Sequence, residues 1–216
     1  MGFVPAIETV RIRAEAPNAI EQATEVLARG GLVALPTDTV YGLAVHAFMP
    51  KAIARLYQAK ERPEGIPLPL LLADASAMEQ VCIEIPALAW QVADRFWPGG
   101  LSLVLKRAVI VPDEVTSGGP TVAVRVPDDP FVRAVCRFLG APLASTSANR
   151  HGYPAPTTAD GAEAELGGRI DLVVDGGPCR QGLASTVLDL SISPPAILRA
   201  GPVTREQLAT VVVDLH

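Results

Sequence analysis

Short apolar runs that end at proline or glycine recur along this chain of 216 residues, and they limit what it can fold into. Twenty prolines and eighteen glycines separate these runs, so a turn or loop soon follows each element. Hydrophobic residues make up 49% of the chain, which is enough to build a sizeable core and excludes general disorder. The sequence therefore predicts many short helices and strands rather than a few long elements.

Strands and helices alternate along the chain, although not in strict β-α-β order. Apolar and β-branched runs predict strands at residues 32–35, 68–72, 101–105, 122–126, 142–144, 170–174, 186–190 and 196–198. Helical spacing of apolar residues predicts helices at residues 19–27, 50–60, 85–96, 131–139, 158–166 and 204–211. This order is typical of an α/β fold in which helices pack on a mixed sheet. No linker-like stretch divides the chain, so we predict a single domain over residues 1–216.

Composition excludes several classes of protein. The net charge of −5 argues against general nucleic-acid binding, although a local basic groove stays possible. The three cysteines are far apart and show no CxxC spacing, which indicates neither a zinc site nor a disulfide framework. No apolar run is long enough to span a bilayer, and residues 1–13 do not resemble a secretory signal, so we expect a cytoplasmic protein without a membrane partner.

Polar side chains follow predicted elements at the points where those elements end. Thr37, Asp38 and Thr39 come directly after the first strand, and Lys60 and Arg62 lie at the end of the second helix. Ligands bind at strand ends in open α/β sheets, and a lysine and an arginine together suit a phosphate group. Each cluster alone also has an ordinary explanation, either a turn held by Thr37 or Asp38, or a cation at a helix C-terminus.

Arg125 lies among valines in an otherwise apolar strand. A guanidinium in such a place is costly without a partner, so it must meet an anionic ligand or a nearby acid such as Asp128 or Asp129. Strand alternation places Thr121 on the same face of the sheet as Arg125.

Two further polar groups follow later strands. Ser145, Ser147 and Asn149 offer hydroxyls and an amide, and Ser185 and Arg199 add another hydroxyl and a third guanidinium. Three arginines, a lysine and many hydroxyls near one sheet suit an anionic, phosphate-bearing ligand. The sequence has no Ser-His-Asp, HExxH or paired-carboxylate pattern, so it indicates neither histidine-based catalysis nor a histidine metal site.

Taken together, these motifs closely resemble those of the YrdC-like family of threonylcarbamoyl-AMP synthases. They occur in the family's order over almost the whole chain, and the sequence is similar to the short, single-domain form. The matching segments are PTDTVYGLA (36–44), KERP (60–63), FWPGGLSLVL (96–105), TVAVRVPDDP (121–130), PLASTSAN (142–149), DLVVDGGPC (171–179), STVLDL (185–190) and ILRAG (197–201). The resemblance implies a twisted, mixed α/β sheet around a deep, locally basic cavity.

The same resemblance implies a reaction. L-threonine, bicarbonate and ATP would give threonylcarbamoyl-AMP and pyrophosphate. A downstream transferase complex would then modify the adenosine next to the anticodon in tRNA. Mg²⁺ is expected to arrive with ATP, no metal is expected on protein side chains, and no organic cofactor is expected. Such a displacement needs positioning and charge neutralisation rather than a protein nucleophile, which agrees with the polar residues described above.

The resemblance also assigns roles to individual residues. The residues implied to be catalytic are Lys60, Arg62 and Arg125. The implied threonine site consists of Thr39, Arg125, Ser145 and Ser185. The implied ATP site consists of Lys60, Arg62, Thr121, Ser147, Asn149 and Arg199. In this scheme Arg125 holds the amino-acid carboxylate as a bidentate pair.

The remaining implications concern the cavity wall. Thr37, Asp38 and Tyr41 are expected to shape it. Leu72 and Ala155 stand at positions where the family commonly has polar residues, and Thr157 is a candidate to replace the hydrogen bond missing at Ala155.

Two other functions fit the same residues. One is an RNA-binding module in RNA maturation, because the family cavity is basic and weak RNA binding would follow; the net negative charge of the chain argues against this as the main role. The other is a carbamoyl-handling domain of the kind found within larger carbamoyltransferases.

Overall fold

The computed structural model describes residues 7–63 and 65–216, and in this part of the chain ten strands form one sheet. The strands are β1 (Val10–Arg13), β2 (Val33–Leu35), β3 (Gly42–His46), β4 (Leu70–Leu71), β5 (Leu101–Lys106), β6 (Thr121–Arg125), β7 (Leu143–Ser147), β8 (Leu172–Asp175), β9 (Thr186–Asp189) and β10 (Ala196–Arg199). Their order across the sheet is β1-β8-β2-β3-β7-β4-β6-β5-β9-β10. The predicted mixed sheet is confirmed, because β1–β8, β2–β8, β4–β6 and β5–β9 pair in parallel and the other pairs are antiparallel.

Short helices cover both faces of this sheet. The α-helices of the described residues are α1 (Ala19–Ala28), α2 (Pro50–Ala59), α3 (Met78–Val81), α4 (Ala87–Phe96), α5 (Asp113–Thr116), α6 (Pro130–Leu139), α7 (Ala159–Leu166) and α8 (Arg205–Leu208). Thr204 and Gln207 form a reciprocal capping box at the start of α8. Among the described residues, no helix has the length and apolar character needed to cross a membrane.

The apolar side chains form two layers, one on each face of the sheet. Ala34, Leu70 and Leu72 belong to the larger cluster, whereas Val33 and Leu71 belong to the smaller one. Neighbouring residues of one strand thus alternate between the layers, as side chains of a strand must. In the smaller layer α1 packs against α6. The apolar layer covers only part of this face, and polar side chains occupy the rest of it.

Several predicted boundaries were wrong. The strand at residues 68–72 contains only Leu70–Leu71, since Pro67 and Pro69 have no N–H to donate to a neighbouring strand. The strand at residues 142–144 instead runs from Leu143 to Ser147, so its serines belong to the sheet and not to a loop. This strand is held on both sides, by β3 and by β4.

Candidate functional site

A cavity of about 390 Å³ lies over the middle of the sheet, on the face that carries the smaller apolar layer. It is lined by Thr37, Thr39, Val40, Gly42, Arg62, Ile66, Pro67, Pro69, Leu71, Ser102, Arg125, Ser145, Thr146, Ser147, Ala155, Ala184, Ser185 and Arg199. Seven of the predicted site residues are in this lining: Thr39, Arg62, Arg125, Ser145, Ser147, Ser185 and Arg199. The other three predicted site residues are outside the lining: Lys60, Thr121 and Asn149.

The floor of the cavity comes from side chains on neighbouring strands. Leu71 of β4 is paired with Arg125 of β6, and the backbone N–H of Ser145 on β7 donates to the carbonyl of Pro69 at 2.9 Å. Ser102 of β5 lies on the same face, because its neighbours Leu101 and Leu103 belong to the opposite layer. The same face of the sheet is therefore apolar beneath α1 and α6 and polar at the cavity.

Arg125 is buried at the centre of this floor, and its ion pair is with Asp38. The Nη2 of Arg125 donates to Oδ1 of Asp38 at 2.5 Å, and the side chain of Asp38 is fully shielded from solvent. The predicted alternative of a pair with Asp128 or Asp129 was wrong. Asp128 contributes only its backbone N–H, which donates to the same Asp38 oxygen at 3.1 Å.

The guanidinium of Arg125 still has two donors for a ligand. Its Nε donates to the carbonyl of Gly99 at 2.8 Å, and its Nη1 donates to the hydroxyl of Thr39 at 2.9 Å. With the bond to Asp38, these contacts use three of its five N–H groups in the described part of the chain. One N–H remains on each Nη, the arrangement that a carboxylate can accept in bidentate fashion. Burial lowers the pKa of Arg125, whereas the charge of Asp38 raises it.

One wall of the cavity is formed by Thr37, Thr39 and Val40. Asp38 is outside the lining and acts on it through its bond to Arg125. The hydroxyls of Thr37 and Thr39 are 2.9 Å apart, and that of Thr37 donates to the carbonyl of Val40 at 2.7 Å. The predicted place of Tyr41 in the wall is wrong, because Tyr41 is outside the cavity lining and is buried in the larger apolar layer, where its hydroxyl donates to the carbonyl of Gly177 at 2.8 Å. Burial raises the pKa of Tyr41 to about 12.

A second polar group lies where β5, β9 and β10 meet. The hydroxyls of Ser102 and Ser185 are 2.9 Å apart. The Nη2 of Arg199 donates to the hydroxyl of Ser185 at 3.1 Å, and its Nε donates to the carbonyl of Ser185 at 2.9 Å. Ser102 was missed by the sequence reasoning, because a serine within an apolar strand carries no local signal of its own.

Arg62 enters the cavity from the end of α2. Glu61 adopts a left-handed backbone conformation with φ of 52°, which turns the chain between Lys60 and Arg62. Within residues 7–63 and 65–216, no carboxylate lies within 4.0 Å of Arg62 or Arg199. Burial lowers the pKa of Arg62. Two guanidinium groups thus face the cavity without a described carboxylate partner.

Lys60 turns away from the cavity and supports its wall. Its side chain is buried, and its Nζ donates to the carbonyls of Ser147 and Asn149. Its own carbonyl accepts from the N–H of His151 at 2.8 Å. Burial, with a smaller contribution from the nearby charge of Arg62, lowers the pKa of Lys60 to about 7. Lys60 therefore holds the segment that follows β7.

The other predicted polar residues have protein partners or lie away from the cavity. The amide nitrogen of Asn149 donates to the carbonyls of Arg150 and Tyr153, at 2.8 and 2.6 Å. Thr121 lies at the opposite end of β6 from Arg125. The carbonyl of Thr157 accepts from the N–H of Cys179 at 2.8 Å, and Thr157 is outside the cavity lining.

Leu71, and not Leu72, is the leucine that lines the cavity. Leu72 is fully buried in the larger apolar layer on the other face of the sheet, whereas Ala155 does line the cavity. With Ile66, Pro67 and Pro69, Leu71 forms an apolar side of the cavity that the sequence reasoning did not single out.

The lining has no cluster of metal ligands. In the described ranges, no three His, Cys, Asp or Glu side chains are placed to hold a metal ion. One oxygen of Asp38 is engaged by Arg125, and its other oxygen is buried without a hydrogen-bond partner. These donors do not fit a resident Mg²⁺.

Fold and site together define a class: a mixed α/β sheet with a cavity lined by arginines and hydroxyls, side chains whose chemistry suits a small anionic ligand. The family model Sua5_yciO_yrdC, described as "Telomere recombination", matches residues 25–201. The chain belongs to this family.

Several named proteins are similar to this chain. The chain is 42% identical over 199 residues to the threonylcarbamoyl-AMP synthase of Bacillus subtilis, covering 91% of this chain and 57% of that protein. It is 36% identical over 192 residues to a putative threonylcarbamoyl-AMP synthase of Mycobacterium tuberculosis, covering 89% and 88%. The structure of Pyrococcus abyssi Sua5 complexed with L-threonine matches with a TM-score of 0.90 and 38% identity, covering 97% of this chain and 62% of that one. The chain thus spans less than two thirds of the B. subtilis and P. abyssi proteins.

Proposed function

We propose that this protein is a threonylcarbamoyl-AMP synthase. The observation that carries the proposal is the convergence of Arg62, Arg125 and Arg199 with several hydroxyls around one cavity. Their chemistry suits an amino-acid carboxylate and a nucleotide triphosphate held side by side. The names of the B. subtilis and M. tuberculosis relatives support the same reading, as does the L-threonine bound to P. abyssi Sua5.

The proposed reaction has two steps. The threonine amine combines with bicarbonate to give a carbamate and water. A carbamate oxygen then attacks the α-phosphorus of ATP, a new C–O–P linkage forms, and the bond to the β-phosphate breaks to release pyrophosphate. No covalent bond to the protein is needed, so positioning and charge neutralisation are the contributions of the cavity.

Arg125 has the geometry to hold the threonine carboxylate. Its two free N–H groups form the bidentate donor, and Asp38, Thr39 and Gly99 fix the plane of the guanidinium. Ser145 and Ser185 are in the same lining, and we assign them to the remaining polar groups of threonine.

The phosphates are assigned to Arg62, Arg199 and Ser147. The two arginines have no described carboxylate partner, and anionic phosphate oxygens would balance their charge. Mg²⁺ accompanies ATP in this proposal and neutralises part of the triphosphate. The resemblance also assigns Lys60, Thr121 and Asn149 to ATP. The contacts of Lys60 and Asn149 support an indirect role for both, through the wall that contains Ser147.

Product use and location are part of the same proposal. A transferase complex would consume threonylcarbamoyl-AMP in tRNA modification, and the reaction is placed in the cytoplasm. The free thiols of Cys82, Cys136 and Cys179 fit a reducing compartment. A single catalytic domain remains the prediction for residues 1–216. The names of the relatives favour the enzyme over the RNA-binding alternative.

Pyrophosphate release tests the proposal. The purified protein should release pyrophosphate only when L-threonine, bicarbonate and ATP are all present. Arg125→Ala should weaken threonine use by about 2–5 kcal/mol, because a desolvated charge pair is lost, and should affect ATP use much less. The matched control is Arg95→Ala, which removes an exposed arginine outside the cavity lining. Turnover that ignores threonine, or equal effects of the two variants, would reject the proposal.

A further inference from the structure

Ser102 has a place in the cavity to which the family resemblance assigns no role. It is buried, lines the cavity, and has the hydroxyl of Ser185 as its hydrogen-bond partner at 2.9 Å. Arg199 donates to that same Ser185 oxygen at 3.1 Å. Three side chains from three different parts of the chain therefore meet at one hydroxyl.

The backbone holds these three side chains in a fixed relation. Leu101 of β5 pairs with Thr186 of β9, so Ser102 and Ser185 flank one point of the sheet. The N–H of Thr186 donates to the carbonyl of Gly100 at 2.9 Å. On the other side, a Cβ added at Gly201 would lie only 2.6 Å from the carbonyl carbon of Ser185, so the chain after β10 lies directly against it.

The protons of this group can be counted. A serine hydroxyl has one proton and two lone pairs, and an arginine can only donate. Ser185 accepts from Arg199, and one hydroxyl proton lies between Ser102 and Ser185 in either direction. The other hydroxyl proton has no acceptor among the residues that the structure describes. Because both serines line the cavity, this proton is available to an acceptor within it.

We infer that Ser102 is a positioning residue that, with Ser185 and Arg199, presents one oriented O–H donor to an anionic oxygen of the ligand. This inference rests on the proposed function and adds a residue to its site. The donor lies beside the guanidinium of Arg199, so the group suits a carboxylate or phosphate oxygen and disfavours a cation. The two sources in the proposed reaction are the carboxylate of threonine and the phosphates of ATP.

A double-mutant cycle tests the inference. Dissociation constants for L-threonine alone and for ATP alone are measured by calorimetry for the wild type, Ser102→Ala, Ser185→Ala and the double variant. We expect Ser102→Ala to weaken binding of one of the two ligands by about five- to tenfold, the scale of one oriented hydrogen bond. In the Ser185→Ala background the same change should add less than about twofold, because the oriented donor needs both hydroxyls and the first change has already removed it.

Two other variants separate positioning from a general effect on folding. Ser102→Thr keeps the hydroxyl and should restore binding to within about twofold of the wild type. Ser102→Cys keeps the volume but has a weakly donating thiol, so it should bind like Ser102→Ala. The control is Ser76→Ala, which changes an exposed serine away from the cavity.

The outcomes distinguish the inference from the proposed function. Two results would overturn the inference even if the wild type turns over threonine. The first is that Ser102→Ala and Ser102→Cys bind both ligands as the wild type does. The second is that the effects of the two single variants multiply in the double variant. Weakened L-threonine binding identifies the carboxylate as the acceptor, and weakened ATP binding identifies a phosphate; either supports the inference. A wild type that binds neither ligand would overturn both.

Discussion

Replacing Lys60 with methionine should remove a rise of stability with pH that this residue causes in the wild type. The side chain of Lys60 is only 1% exposed, and burial lowers its pKa from 10.5 to about 7. In the unfolded chain the ammonium is solvated and keeps its ordinary pKa. Between these two values the unfolded state holds a proton that the folded state lacks. Unfolding therefore takes up a proton, and raising the pH disfavours it.

The magnitude follows from the two pKa values. The cost of burying the charged amine is fully present below about pH 7 and is removed as the pH rises toward 10.5. Between about pH 7 and about pH 8.5, proton linkage adds about 1–2 kcal/mol to the free energy of unfolding. Burial also raises the thiol pKa of Cys82, Cys136 and Cys179 above the ordinary value of 9.0. The cysteines therefore oppose the rise as the pH approaches 9, but they do so equally in the wild type and in both variants. His46, whose pKa is lowered by burial, acts below its ordinary value of 6.5.

The assay is urea unfolding at several pH values in this window, at constant ionic strength, for the wild type, Lys60→Met and Lys51→Met. Lys51 is exposed, so its replacement is the matched control and should keep the full rise. Lys60→Met also leaves the carbonyls of Ser147 and Asn149 without their donor, which lowers stability at every pH. The slope against pH, and not the absolute stability, is therefore the measurement. If the free energy of unfolding of Lys60→Met rises with pH as steeply as that of the wild type, the shifted pKa does not belong to Lys60 and the reasoning fails.

Three other variants test the rest of the site. Arg125→Met should lower the free energy of unfolding by about 3–5 kcal/mol, because it leaves Asp38 buried without its cation. In urea unfolding, adding Asp38→Asn should restore much of this loss. An equal or larger loss in the double variant would count against the ion pair. In the pyrophosphate assay, Arg62→Ala should raise the KM for ATP at least about tenfold and the KM for threonine less than about twofold. Arg95→Ala should leave both KM values unchanged. A larger effect of Arg62→Ala on the KM for threonine would refute the assignment. Gly201→Ala should lower the free energy of unfolding by about 1–3 kcal/mol, because its Cβ would meet backbone atoms at 2.3–2.6 Å; unchanged thermal unfolding would contradict this.

Local patterns predicted eight of the ten strands in the described sheet and missed β1 and the central strand β3. Apolar runs identify β2, β5, β6 and β8 because these strands are buried on both faces. The edge strand β1 has the sequence Val-Arg-Ile-Arg, is mostly exposed and pairs only with β8 in the described sheet, so its apolar signal is weak. The strand β7 was cut short in the prediction because its last three residues are Ser145, Thr146 and Ser147, which are typical of turns.

The same limit applies to Lys60 and Arg62. Their spacing at the end of α2 suggested that both cations reach one ligand. The left-handed turn at Glu61 separates them, so Arg62 enters the cavity and Lys60 is buried under its wall. No pattern in the sequence marks this turn, because Glu61 is neither glycine nor asparagine.

A cavity on a sheet face depends on strand order more than on motifs. Arg125 was predicted as a binding residue from its unusual place among valines, but its partner Asp38 lies 87 positions earlier and meets it only because β6 lies near the segment that follows β2. Ser102 shows the same dependence more sharply, since its role arises from the pairing of β5 with β9 and nothing near it in the chain indicates that role. Residues that act through charge are visible in the sequence because a buried charge needs a partner. Residues that act by orienting a neighbour become visible only when the register of the sheet is known.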